Sequence, residues 1–471
     1  MSREAIILTT LIAYKMLLVG IGLWAQRRTH DNADYFLGGR SLGPVVAAIS
    51  YAASSSSAWT LLGVSGAAFT MGLGALWLLP GIVACHIVAW FWLAPGLQRS
   101  SREHEQITLT DVLAQDTTGR SRVAIVVTAS LIVLFCFLFY VAAQFQGAGN
   151  TFTANFAIDR TEAIALGGLI VLVYTLLGGF WAVSVTDALQ GLLMCAASIV
   201  LPIAGLIAVG GPGPLLEGLR EVSTPSQLSL TAGNAGLLGF GFAAGMMLVG
   251  LGTFGQPQLL NRFMALRDEK ALRQARVLAI GWFAVVLVGM LTLGLCGHVL
   301  LPEAADGESV FFDLTNELLP TVIGAVITAA VLSSIMSTAD SQLLVSASAV
   351  AHDLGLARRS PRHALTVSRL VMAAVCVISV WVAVALPASI FSRVLFAWNG
   401  LGSAFGPIVF ARVMGREIAP WAVLTSMLVG FGLTAVLYTL PNTPGDVAER
   451  VVPFVISAII VAAGSRPRRT A

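Results

Sequence analysis

Apolar residues in this chain neither alternate with polar ones, as in a strand, nor keep to one stripe of a helix. They run in unbroken stretches near the ~20 residues that cross a bilayer as a helix. The stretches fall at about 5–26, 44–71, 74–97, 123–149, 161–182, 186–209, 236–259, 275–301, 318–351, 366–386, 389–411, 418–440 and 449–464. This pattern predicts an all-α membrane protein with thirteen transmembrane helices, because a helix satisfies its own backbone polar groups where no water can. The first stretch follows Arg3-Glu4 and ends in Arg27-Arg28, the reverse of a secretory leader, so it reads as a retained span.

Composition supports the bilayer assignment: 57% of the 471 residues are hydrophobic and 11% charged, against about 25% charged in an ordinary soluble domain. Basic residues gather in loops that stay in the cytoplasm. With the N-terminus outside, the inner segments 27–43, 98–122, 260–274, 352–369, 412–417 and the tail, together with Arg276, hold 21 of the 27 Lys and Arg residues. An outside N-terminus and a cytoplasmic C-terminus in the cell membrane are therefore expected. The basic clusters read as solvated inner loops, and the formal charge of +3 gives no sign of nucleic acid. All five cysteines lie inside the expected spans without CxxC spacing and read as small buried hydrophobes. The outer loop 210–235, punctuated by Gly and Pro, has room for one short helix.

Polar exceptions inside the spans are where chemistry is expected. Asp187, near the start of its helix, and Asp340, deeper in its own, are carboxylates in otherwise apolar helices. Ionisable groups at membrane depth mark ion paths or substrate sites. Asp187 also fits a structural carboxylate paired with an arginine. Lys15 is expected to snorkel from a peripheral helix. Around Asp340 the run "SSIMSTADSQ" places Ser334, Ser337, Thr338 and Ser341 at i, i+3, i+4 and i+7, one hydroxyl face of a helix. Each hydroxyl alone is accounted for by back-bonding or helix packing. Four on one face beside a carboxylate suggest more.

Two segments look unable to stay helical. "SYAASSSSAW" sets Ser54 to Ser57 within an apolar run, and serines compete for backbone hydrogen bonds, freeing carbonyls that must face something other than lipid. A small hard cation takes such oxygens. "GLGTFGQPQ" (250–258) concentrates glycine and proline inside the span 236–259. Each break opens a group of five spans, 44–209 and 236–411. Five being odd, the two groups insert with opposite orientation, the pattern of an inverted-repeat secondary transporter with its site at the breaks. The chain then divides into a leading helix and inner loop (1–43), two five-helix repeats separated by the loop 210–235, and two peripheral helices with a basic tail (412–471).

Together the motifs "DYFLGGRSLGP" (34–44), "YTLLGGFWAVSVTDALQG" (174–191), "GLGTFGQPQLLNRFMA" (250–265), "SSIMSTADSQLL" (333–344) and "GSAFGP" (402–407) resemble the sodium:solute symporter family, most closely its sodium/proline branch. The resemblance implies a leucine-transporter-type core of two five-helix inverted repeats with one extra N-terminal helix, and sodium as coupling ion without an organic cofactor. It also implies a main sodium site made by the carbonyls of Ala53, Ser56 and Ser334 and the hydroxyls of Ser337 and Thr338. Members that couple an additional sodium hold it where this chain has Asp187, Ser337, Asp340 and Ser341. Asp340 departs from the branch, which has Ser there, and could add cation attraction or carry a proton.

The implied substrate lining is Ser55, Ser57, Trp59, Tyr140, Gln144, Thr253, Phe254, Trp398 and Asn399. The branch carries Asp, Trp and Tyr at the positions of Ser55, Val249 and Thr253, so the pocket has lost a carboxylate and two rings. The leading expectation is sodium-coupled symport of proline or a related amino acid. A carrier of a carboxylate, sugar acid or other small polar solute is the alternative, and a transporter-like sensor or a sodium channel comes second. The sensor reading is disfavoured by the few residues after the last span. No HExxH or GxSxG motif supports an enzyme. Expected partners are a small solute and the lipid bilayer, with no obligate protein partner.

Overall fold

A computed structural model of the chain describes residues 2–26, 37–176, 180–302, 307–355, 364–386, 388–441 and 443–467. Parts of the inner loops, the basic tail and motif residues 34–36 and 177–179 lie outside the described residues. Every apolar stretch read from the sequence has a helical counterpart, and among the described residues ten helices are long and apolar enough to cross a membrane. Arg160–Thr175, Val447–Ala463 and Pro44–Ser55 are the shorter ones, the last because its span is interrupted. Long apolar runs make these helices, and Ser and Thr hydroxyls inside them, such as those of Ser65, Thr151 and Ser184, bond back to carbonyls of the preceding turn without breaking the ladder. Gly72, at φ +61°, turns the chain between the spans 44–71 and 74–97, a conformation that an L side chain rarely adopts.

The helices on which the site depends sit at the centre. The hydroxyl helix, Thr321–Ser348, is buried from Ala329 through Leu344, and Ile390–Val413 is buried on nearly every face. Exposed large apolar residues such as Leu237, Phe240, Ile207 and Trp381 lie on outer helices, as expected where lipid is the solvent. The loop 210–235 contains the helix Pro212–Val222. Two tethers fix the ends of elements on one side. Leu42 N donates to Ala265 O and Arg267 N to Leu42 O, at 3.1 Å each, joining the entry of the first broken helix to the exit of the second. Arg416–Ile418 pairs antiparallel with Ser465–Pro467, joining the last helices.

One expectation about helix ends needs correcting. The helix carrying Asp187 runs Phe180–Val209, so Asp187 sits two turns inside it rather than near its start. The apolar count alone placed that start too late.

Close packing depends on glycine where helices cross. A Cβ on Gly294, in the helix Glu269–Leu300, would lie 2.1 Å from Ser65 O, whereas one on Gly281 of the same helix meets nothing within 4 Å. Gly294→Ala should lower the apparent melting temperature in detergent by several degrees, an overpacking cost of about 1–3 kcal/mol. Gly281→Ala should leave it unchanged or slightly raised.

Candidate functional site

The serine quartet breaks its helix. Pro44–Ser55 ends at Ser56, which takes φ −94°, ψ 82°, and the chain resumes as the π-helical turn Trp59–Gly63. Side chains replace the lost helical partners: Gln144 Oε1 accepts Ala58 N at 3.0 Å, and Ser57 Oγ accepts Trp59 N at 3.1 Å. On the other side of the break the carbonyls are left to be met from elsewhere. Ser337 Oγ donates to Ala53 O at 3.2 Å, and Thr338 Oγ1 lies 3.4 Å from Ala53 O and 3.3 Å from Ser54 O. Ser337 Oγ is also 3.2 Å from Ser334 O. The break and the hydroxyl stripe, some 280 residues apart in sequence, thus meet in a fully buried cluster of oxygens. Ala53, Ser334, Ser337 and Thr338 are brought together. Ser56 stands at the break beside them with its Oγ unpartnered among the described residues.

Next to this cluster lies an ionic network. Asp187 Oδ2 accepts Arg262 at 2.7 Å, Ser50 Oγ at 2.9 Å and Ser54 Oγ at 3.1 Å. Arg262 in turn donates to Ser50 Oγ at 2.8 Å and Ser341 Oγ at 2.7 Å, and Ser341 Oγ is 2.9 Å from Ser54 Oγ. Both charged partners are essentially inaccessible, at 1% and 0% exposure. A buried guanidinium forms several directed bonds at once, which holds four helical elements in one arrangement. Arg262 does not behave as the solvated loop residue the charge pattern suggested. It lies on Pro257–Ala265, the helix that follows the second break and is buried throughout.

The four residues expected to form a further cation site are divided, and Ser337 stays with the first break. Asp187 and Ser341 belong to the Arg262 network, while Asp340 is hydrogen-bonded at Oδ1 by Thr175. Adjacent helical positions point about 100° apart, which explains the split between Asp340 and Ser341. Asp187 Oδ1 and Asp340 Oδ2 have no hydrogen-bond partner among the described residues. Lys15 does not snorkel. Its Nζ is buried, with no hydrogen-bond partner among the described residues.

The second break also forms. Leu248–Gly255 tightens to a 3₁₀ helix, Gln256 becomes extended, and a new helix starts at Pro257. Glycine is required because the break presses on Ile390–Val413: a Cβ on Gly255 would lie 2.0 Å from Leu401 O, and one on Gly252 would lie 2.5 Å from Trp398 Cβ. Between the two breaks an aromatic group assembles. Trp59 and Trp398 have ring centroids 5.3 Å apart, and Trp398 Nε1 donates to the Tyr140 hydroxyl at 3.0 Å. Ser57, Trp59, Tyr140, Gln144 and Trp398 therefore share one neighbourhood. Ser55 Oγ, Thr253 Oγ1, Trp59 Nε1 and Asn399 Nδ2 are buried without partners among the described residues. Phe254 is not brought to this group: its ring packs on Phe410 and Phe454, at 4.9 and 6.4 Å.

Ser50, Ser54, Thr175 and Arg262 are the residues that sequence reasoning left without roles. Ser50 and Ser54 lie in the run "SYAASSSSAW", and Thr175 and Arg262 in the quoted motifs 174–191 and 250–265, so a signal existed for all four.

Proteins similar to this chain in sequence or in fold are numerous. A profile of the sodium:solute symporter family matches residues 35–430. The osmoregulated proline transporter OpuE of Bacillus subtilis is 34% identical over 469 residues, covering 98% of this chain and 94% of the relative. The high-affinity proline transporter PutP of the same organism is 33% identical over 457 residues, with 93% and 95% covered. Sodium/proline symporter 2 of Staphylococcus saprophyticus is 31% identical, with 89% and 83% covered. Among solved structures, a Na+-coupled sialic acid symporter in a substrate-bound, outward-open state superposes with TM-score 0.80 at 18% identity, covering 98% of this chain and 99% of its own. MhsT in complex with L-phenylalanine superposes with TM-score 0.57 at 12% identity, covering 90% and 99%. These two likenesses bear on the fold, and the profile and the relatives on descent: the chain with two broken helices facing a hydroxyl stripe belongs to the sodium:solute symporter family.

Proposed function

We propose that the protein is a sodium-driven symporter of proline or a closely related amino acid, working by alternating access in the cell membrane. The observation that carries this reading is the approach of the Ser337 and Thr338 hydroxyls to the Ala53 and Ser54 carbonyls at the break. Oxygens of this kind are what a hard cation takes in place of water. In the proposed topology thirteen spans form two inverted five-helix repeats behind one extra N-terminal helix, with the N-terminus outside and the C-terminus inside. Sodium enters from outside and is held by Ala53, Ser56, Ser334, Ser337 and Thr338, bridging the first broken helix to the hydroxyl helix. It drives the cycle only because it binds one conformation better than the other; equal affinity would shift nothing. The Arg262–Asp187 network then acts as the inner gate, which must part before solute and ion leave toward the cytoplasm.

The solute is proposed to lie against Ser57, Trp59, Tyr140 and Trp398 between the breaks. Aromatic faces suit a pyrrolidine ring, and the free helix ends at the breaks suit a carboxylate. Uptake of labelled proline into proteoliposomes should require an inward sodium gradient and stop when sodium is replaced by choline. Uptake indifferent to sodium would contradict the coupling. A second reading, a more polar carboxylate or sugar-acid solute, is favoured by the unpartnered Ser55, Thr253 and Asn399 groups. In a sodium-containing thermal-shift screen over amino acids, monocarboxylates and sugar acids, the true solute should raise the melting temperature most, since a ligand bound only by the folded state stabilises it.

A further inference from the structure

Lys15 is one of only two lysines in a chain that otherwise uses arginine, and the other, Lys270, lies in an exposed loop-proximal turn. A single compact ammonium has been placed in the middle of the leading helix, where it is expensive. Its helix, Arg3–Gln26, docks on the hydroxyl helix through the Tyr14 hydroxyl, which lies 2.5 Å from Ser333 Oγ. Ser333 and Asp340 are seven residues apart and so on one face of that helix, separated by about 10 Å along its axis. Lys15 lines one groove with Tyr174, and Thr175, the next residue, bonds Asp340.

Not every buried charge in this region is paired by a hydrogen bond. Arg262 engages Asp187 Oδ2. Asp340 has Thr175 on Oδ1 and nothing on Oδ2, and Lys15 Nζ has no partner among the described residues. A buried carboxylate that keeps its charge needs a cation beside it, so an ionised Asp340 attracts either a mobile cation or a fixed one. The fixed one is at hand. A groove of about 810 Å³, lined by Lys15, Met16, Val19, Tyr174 and Leu332, gives the lysine arm room to change rotamer. An ammonium is a point charge with freely rotating donors on a flexible stem, closer to an alkali ion in behaviour than a planar guanidinium.

We propose that Lys15 is a tethered counter-cation for Asp340, standing where a second free cation would otherwise bind, so that the protein takes up a single sodium ion per cycle. This deepens the sodium-coupled reading and rests on it. The first broken helix and Thr338 would hold the mobile ion, while the leading helix would supply the other positive charge permanently. Neutralising Lys15 without changing Asp340 then opens a vacant cation site.

The test is equilibrium binding of radioactive sodium to the purified full-length protein at pH 8.5, where protons compete little. Wild type should bind one sodium at saturation, Lys15→Met two, and Lys15→Met/Asp340→Ser one again. Binding of the first sodium, whose ligands include neither Lys15 nor Asp340, reports that each variant is folded. Lys15→Gln, closer in polarity to lysine, should repeat the value of two if Lys15→Met fails to fold. Two sodium ions on wild type, or one on both Lys15 variants, would overturn the inference and leave sodium coupling intact. Loss of all binding in both variants with one ion on wild type would make Lys15 purely structural and also overturn it. A wild type that binds no sodium would instead overturn the sodium-coupled reading, and the tethered cation with it.

Discussion

Replacing Ser337 and Thr338 together by alanine should raise the sodium concentration for half-maximal proline uptake by roughly a hundredfold, since each lost oxygen–ion contact removes about 1–1.5 kcal/mol. The maximal rate at saturating sodium should fall less, because the aromatic group around Trp59, Tyr140 and Trp398 is untouched. Helix packing offers a different account of the same hydroxyls, in which they serve only to bond Ala53 and Ser54 carbonyls. The two accounts separate in sodium-free buffer. The existing contacts are long, 3.2–3.4 Å, so losing them should lower sodium-free stability only slightly. Addition of sodium should then raise the melting temperature of wild type and not of the double variant. Equal sodium-induced shifts in the two proteins would assign the hydroxyls to packing.

Arg262→Gln is expected to have the other large effect. It leaves Asp187 buried with only hydroxyl partners, and breaking a buried pair by removing one member costs about 3–5 kcal/mol. The loss falls on the arrangement in which the first broken helix, the Asp187 helix, the hydroxyl helix and Pro257–Ala265 are tied together. The inner side should therefore open more often. A cysteine at Ser348, beside Arg262 in a small cavity also lined by Phe180 and Val345, would report this in a background lacking the native cysteines. Its labelling by a membrane-impermeant maleimide from the cytoplasmic side should accelerate at least tenfold in Arg262→Gln. Asp187→Asn combined with Arg262→Gln removes both charges and should recover most of the lost thermal stability, since two neutral partners leave no uncompensated ion. A double variant as unstable as the single one would mean that the guanidinium's bonds to Ser50 and Ser341 matter more than its charge.

Much of the architecture was legible because bilayers impose a simple rule on sequence. Long apolar runs gave the helices, and Ser54 to Ser57 and the stretch around Gly255 and Pro257 gave both interruptions. The alignment of Ser334, Ser337, Thr338 and Ser341 on one face also followed from helical spacing. What periodicity could not supply was depth and partner. Arg262 sits among loop arginines in the sequence, and only the fold shows that the helix after the second break turns it inward toward Asp187. Lys15 reads as a snorkelling side chain until the leading helix is seen docked on the hydroxyl helix. Phe254 lies beside Thr253 in the second break, yet a one-residue rotation on a tight helix points it at Phe410 instead of the pocket. The Asp187 helix begins before its apolar run does, so its carboxylate is deeper than hydropathy implies.

The central claim is that oxygens released by the interrupted helix and offered by the hydroxyl helix hold one alkali ion. A density map of the protein soaked with thallium, a heavy stand-in for sodium, addresses it most directly. A single strong peak is expected between the carbonyls of Ala53 and Ser56 and the side chains of Ser337 and Thr338, displaced by excess sodium. A continuous helix through residues 53–57, or a peak only elsewhere in the protein, would contradict the account.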